Sequence, residues 1–139
     1  MERPLGIGTQ AALVQLAVKS PEAEVCGFVT SDGIVHIIPN VSANPAHAFF
    51  MDPQLQIAFL KERHQDVIGV FHTHPGGSLE PSEQDIKGWH PAMPWRYFIV
   101  TVNQIMEWKK DGNDVSKLAS YNAAGGESQE DMAVTVLGN

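Results

Sequence analysis

The sequence holds a single cysteine, Cys26, so no disulfide can form within the chain and no set of thiolates can close around a structural metal. Basic residues are scarce: nine Lys and Arg stand against sixteen Asp and Glu, a formal net charge of −7. That balance favours solubility and argues against nucleic acid or an anionic membrane as the main partner, since both are held through positive charge. No apolar run approaches the roughly 18 residues that a membrane-spanning helix needs. The opening residues, Met1 to Gly6, lack the basic-then-apolar pattern of a secretory leader. The expectation is a cytoplasmic protein in a reducing compartment. Repeats and linkers are absent too, and 18% charged with 43% apolar residues describes a chain able to build a core. Its 139 residues suit one domain.

What is present alternates between helical and extended patterns. Ala12, Leu13, Leu16 and Ala17 recur at helical spacing within residues 9–19. Two β-rich runs follow, over residues 24–30 and 34–38, joined by Ser31-Asp32-Gly33, in which glycine accepts the positive φ of a tight turn. Residues 40–47 read as a loop. Asp52-Pro53 then predicts a helix start, with Asp as N-cap and Pro at the first helical position, running to Arg63 or His64. Val67 to Phe71 is apolar at every position but Gly69, the pattern of a central strand covered on both sides. A short helix is expected to begin at Ser82 and end before Pro91. Further strands are expected over residues 97–102 and 105–109, with Asn103-Gln104 as the turn, and over 115–121. The reading is a single α+β domain over residues 1–122, with a mobile tail over 123–139.

The central strand runs straight into His72-Thr73-His74. Side chains two apart on a strand share a face, so both imidazoles can reach one ion. Asp85, in the first turn of the following helix, is the best third ligand. Two nitrogens and one carboxylate oxygen suit zinc, and three protein ligands leave the fourth position that distinguishes catalytic from structural sites. Such an ion lowers the pKa of bound water to roughly 7. Amide hydrolysis also needs a base, for which Glu24 and Glu22 are candidates. It needs a donor to the oxyanion as well, and the hydroxyl of Ser82 lies on the same helix turn as Asp85.

These residues resemble the signature of the JAMM (MPN+) metallopeptidases: His-x-His-Pro, a short loop, then Ser-x-x-Asp, with an upstream Glu. Here the run is His72-Thr73-His74-Pro75, the loop 75–81, and Ser82-Glu83-Gln84-Asp85. Glu24-Val25-Cys26-Gly27 resembles the family's upstream Glu-x-x-Gly segment, which selects Glu24 over Glu22. The stretch from Asn40 through Pro45 and Phe50 to Asp52-Pro53 resembles the family's loop before its second helix. Five positions matching in order and spacing are far more specific than an isolated His-x-His. The resemblance implies an αβα sandwich around a curved, mostly antiparallel sheet. It also implies Zn2+ on His72, His74 and Asp85, general acid/base work for Glu24, and the oxyanion for Ser82. Its substrates would be proteins or peptides, ubiquitin-like ones among them. Family members often dimerise, so a homodimer is a further expectation. The compact chain is similar to the minimal prokaryotic or phage versions.

Each feature also has a plainer reading. Ser82-x-x-Asp85 alone is more simply a helix cap. Cys26 reads as a small buried strand residue, and His36, His47, His64 and His90 as surface or capping residues. Trp89, Trp95 and Trp108 read first as core, although the first two follow the candidate helix and could line a cleft. Three functions compete: cleavage beside the C-terminal glycine of a ubiquitin-like or sulfur-carrier protein, a phage-tail or cell-wall peptidase, and a non-catalytic MPN scaffold.

Overall fold

The computed structural model describes residues 3–89, 93–123 and 134–138. Helix α1 (Ile7–Lys19) starts two residues before the expected point and buries Ala12, Leu13, Val14 and Ala17. Strands β1 (Cys26–Thr30) and β2 (Val35–Ile38) form the expected antiparallel hairpin, with Gly33 at φ 85° in the turn. Helix α2 (Pro53–Arg63) begins as its sequence dictates: Asp52 Oδ1 accepts from the backbone N–H groups of Gln54 and Leu55 at 3.0 and 3.1 Å. Such a cap contributes about 1 kcal/mol. After a 3-10 turn (His64–Asp66) come β3 (Val67–Thr73), α3 (Glu83–Gly88), β4 (Arg96–Val100), β5 (Gln104–Asp111) and β6 (Asp114–Asn122). The β4–β5 turn sits one residue earlier than expected, with the Thr101 N–H donating to the Gln104 carbonyl at 2.8 Å.

Strand β7 (Val134–Val136) falls within the residues that the sequence reads as a mobile tail. It pairs in parallel with β2, His36 opposite Thr135, so these residues belong to the sheet. The rest of the expected tail, 124–133 and 139, lies outside the described residues. Local pattern could not reveal this pairing, because its partner is about a hundred residues away.

The seven strands lie in the order β6-β5-β4-β3-β1-β2-β7. Pairing is parallel for β3–β4 and β2–β7 and antiparallel elsewhere, which is the mostly antiparallel sheet expected. Alternation along the strands divides the interior into two layers. Leu13, Val14, Val29, Phe71, Phe98 and Ile105 pack under α1 on one face. Phe28, Phe59, Val70, Tyr97, Ile99 and Trp108 pack on the other, against α2 and α3. The αβα sandwich is therefore present. Gly27 is required where the β1–β2 ladder crosses the first layer: a Cβ there would lie 1.9 Å from the His36 carbonyl oxygen and 2.9 Å from the Phe71 ring. No helix among the described residues is long and apolar enough to cross a membrane.

His36 departs from the expectation of a surface residue. It is 5% exposed, with Nε2 2.9 Å from Thr30 Oγ1 and Nδ1 2.9 Å from Thr135 Oγ1. Burial pushes its pKa down, because the imidazolium is the form that loses solvation. His47 is exposed, and His64 turns Nδ1 to the Leu60 carbonyl as a capping residue. His90 lies outside the described residues. Cys26 is fully buried, as expected, and burial pushes its thiol up to about 12.

Candidate functional site

The site forms where β1 and β3 enter the α2/α3 face of the sheet. Cys26 lies opposite His72, and the ladder continues past the strand ends through Thr73 N–H to the Val25 carbonyl at 2.9 Å. Two residues before Cys26, Glu24 therefore joins the face that carries His72 and His74. Its segment is fixed from behind: the Glu24 N–H donates to the Pro45 carbonyl at 2.7 Å, and Asn40 Nδ2 donates to the Glu24 carbonyl at 3.0 Å. From the far side, α3 brings in Asp85. Ser82 is its N-cap, accepting from Asp85 N–H at 3.0 Å, while Asp85 Oδ2 accepts from Ser82 N–H at 2.9 Å. The capping reading of Ser82-x-x-Asp85 is thus present in full, and the same cap aims the carboxylate at the histidines.

His72 Nε2, His74 Nε2 and Asp85 Oδ2 converge, with separations of 2.9, 3.1 and 3.2 Å. Neighbouring ligands of a tetrahedral ion bound at about 2.0–2.1 Å stand roughly 3.3 Å apart, so this triangle fits a small cation of the zinc class. His74 Nδ1 lies 2.8 Å from the Ser78 carbonyl. A carbonyl only accepts, so Nδ1 carries a proton and Nε2 is the nitrogen turned towards Asp85 and any bound ion. The Phe49 ring stacks on His72 with centroids 4.6 Å apart, holding the second imidazole. Glu24 brings a carboxylate oxygen within 4.8 Å of the ligand atoms of both histidines. A grouping of Glu24, His72 and His74 is thus one candidate metal set, and the tighter one is His72, His74 and Asp85.

Glu24 is 6% exposed, and its Oε1 has no hydrogen-bond partner among the described residues. Burial pushes its carboxyl up to about 7; His74 opposes the rise and Asp85 adds to it. A carboxylate near 7 is poised to take and return a proton at neutral pH. Burial also works against charge on Asp85, but hydrogen bonds from His72 and His74 outweigh it and hold the carboxyl well below the usual range. At His72 burial prevails and the pKa falls. At His74, burial is outweighed by the bonds to Asp85 and the Ser78 carbonyl, and the pKa rises.

Two residues of β5 support the site that no sequence signal had marked for that task. Trp108, buried as expected of a core residue, donates Nε1–H to the Leu79 carbonyl at 3.1 Å and so anchors the loop 75–81. Lys110 Nζ donates to the carbonyls of Ile86 and Trp89 at 2.8 and 3.3 Å, binding the C-terminal end of α3. A cation there also complements the helix dipole.

A mixed sheet between helices, with a His-x-His strand end facing a Ser-x-x-Asp helix start, defines a domain of the JAB/MPN class. The chain belongs to the family of prokaryotic homologs of the JAB domain, which it matches over residues 8–111. It is 32% identical over 78 residues to a desampylase of Haloferax volcanii, a match covering 50% of this chain and 56% of that protein. A desampylase of Pyrococcus furiosus is 32% identical over 99 residues, 66% of this chain and 68% of that one. The chain thus spans little more than half the length of the Haloferax relative. A solution structure of a protein from Desulfitobacterium hafniense shares the fold, with a TM-score of 0.57 over 78% of this chain and 82% of that one at 22% identity.

Proposed function

We propose that the chain is a zinc-dependent isopeptidase that hydrolyses the amide bond next to the C-terminal glycine of a ubiquitin-like or sulfur-carrier protein. The observation that carries this reading is the convergence of His72, His74 and Asp85 within 3.2 Å, beside a buried Glu24 whose Oε1 has no hydrogen-bond partner among the described residues. Membership of the JAB family and the similarity to two proteins named desampylase support the reaction type. His72 Nε2, His74 Nε2 and Asp85 Oδ2 would hold the zinc. When bound, zinc supplies Lewis acidity, polarising the substrate carbonyl and lowering the pKa of water to roughly 7.

The remaining work falls to the chain's own groups. Glu24 accepts the proton of the attacking water and returns it to the leaving nitrogen, a role suited to a carboxyl near 7. Ser82 Oγ accepts from Asp85 N–H, which leaves its hydroxyl proton free to donate to the oxygen that becomes negative as the carbonyl is attacked. The ring of Phe49 and the Ser78 carbonyl keep the two histidines in place through the reaction. The test is a linear fusion of a ubiquitin-like protein, through its C-terminal glycine, to a reporter. The zinc-loaded chain is expected to cut after the glycine. Failure across a panel of such fusions, with zinc bound, overturns the substrate assignment.

A further inference from the structure

A cavity of about 540 Å³ opens beside the site, on the α2/α3 face of the sheet. That lies within the roughly 300–1,000 Å³ of ordinary ligand pockets. Asp85 is one of its walls, and Phe49, which also lines it, stacks directly on His72. The cavity therefore adjoins the candidate metal centre, sharing Asp85 with it.

Its floor is aromatic and interlocked. Phe28 meets Trp95 edge-on at 5.7 Å, and Trp89 stacks on Tyr97 at 4.4 Å. All four rings are buried and belong to the core, so the floor is rigid before anything binds. A preformed apolar wall avoids the ordering cost that a flexible surface would incur. The rim is different: Phe50 is 57% exposed, and Gln84, Lys87 and Gly88 are exposed around it. An exposed phenylalanine over an aromatic cavity gains most when an apolar group is inserted beneath it.

We propose that this cavity is a specificity pocket, which takes a large apolar side chain of the peptide substrate within three residues of the scissile bond. The proposal rests on the hydrolytic reading above for its substrate, and on the cavity alone for its binding chemistry. The occupant is a peptide side chain because the pocket shares Asp85 with the site where a peptide bond would be cut. A phenylalanine or leucine there exchanges water for the aromatic floor, whereas alanine leaves most of that surface uncovered. Discrimination of at least about tenfold follows from such a difference in buried apolar surface.

The probes are capped tripeptides, acetyl-Gly-Phe-Gly-amide and its Leu and Ala counterparts, titrated into the full chain and followed by the indole N–H resonances. Trp89 and Trp95 line the cavity, and Trp108, whose Nε1–H is held by the Leu79 carbonyl, serves as the internal control. The Phe and Leu peptides are expected to shift Trp89 and Trp95 but not Trp108, and to bind about tenfold tighter than the Ala peptide. A Cβ added at Gly88 meets nothing within 4 Å, so Gly88→Phe can start a bulky side chain at the rim. Gln84→Trp, at an exposed helical position, is a second filler. Both substitutions are expected to remove the preference for Phe over Ala. Equal binding of the Ala and Phe peptides overturns the proposal, as does a preference that survives both variants. Fusions varied at three positions on each side of the cut supply the separate reading of hydrolysis. Binding of the Phe peptide with no cleavage of any fusion leaves the pocket standing and sinks the hydrolytic assignment. Cleavage without any apolar preference, and without peptide binding, does the reverse.

Discussion

Among the described residues the sheet carries a buried charged cluster on each face, and they are built in opposite ways. Under α1, Arg96 grips Glu107 with two bonds of 2.6 and 2.9 Å, and Tyr121 adds a third to Glu107 at 2.8 Å. Tyr121 in turn accepts from the Leu5 N–H at 3.3 Å, so the cluster ties the N-terminal segment to β6. Its charges meet opposite charges and its acceptors meet donors, the arrangement that lets buried ions contribute to structure. On the other face, His72 Nε2, His74 Nε2 and Asp85 Oδ2 crowd within 3.2 Å of one another, and Glu24 Oε1 has no hydrogen-bond partner among the described residues. One buried carboxylate is thus fully satisfied while the other keeps an oxygen without a partner among the described residues, which is what the proposed proton transfer by Glu24 requires. The first arrangement suits a structural role, and the second suits the hydrolytic role proposed for it.

The comparison can be broken from either side. The largest effect expected is on activity: His74→Ala should lose both zinc and turnover, measured by metal content and reporter cleavage, while the fold persists. Arg96→Ala should instead lose the fold, because an uncompensated Glu107 is left buried at a cost of about 3–5 kcal/mol. Chemical denaturation checks it, and retained zinc in whatever fraction stays folded would keep the two roles separate. Glu24→Gln should keep the zinc and lower turnover by about 10²–10⁴-fold. Because Glu24 Oε1 has no hydrogen-bond partner among the described residues, stability of the metal-free chain should not fall; a clear loss in thermal unfolding would mean that Glu24 is structural after all. Trp108→Phe keeps a ring and removes the bond to Leu79, so a loss of about 1 kcal/mol and a few-fold weaker zinc affinity are expected.

The smallest effect concerns His36, which belongs to neither cluster. Its pKa is lowered in the folded chain, so below the unfolded value of about 6.5 the unfolded state binds the extra proton. Stability should be full above that pH and decline as pH falls through it. The Thr30 and Thr135 contacts place the change at the β2–β7 edge, where amide exchange of Val134 to Val136 should rise first.

How much of this was legible in the sequence follows from the range of the interactions. His72 and His74 were visible because a strand's period of two fixes which neighbours share a face. Asp52-Pro53 and Ser82-x-x-Asp85 were visible because caps are written within three or four residues. Glu24 could be chosen over Glu22 only through its spacing from Gly27, and the structure gives that glycine a physical reason in the His36 carbonyl beneath it. The features that stayed hidden are long-range. The pairing of Arg96 with Glu107 depends on the β4–β5 register, and the burial of His36 depends on β7 returning to β2. Phe49 on His72 and Lys110 on α3 are contacts between elements whose relative placement no local pattern contains.

The most direct test of the contrast between the two clusters is the zinc content of the freshly purified chain beside its His74→Ala and Glu24→Gln variants. One zinc per chain is expected in the unaltered protein and in Glu24→Gln, and none in His74→Ala. A chain that arrives without zinc and takes up none when it is supplied would contradict the account, and so would a zinc content unchanged by His74→Ala.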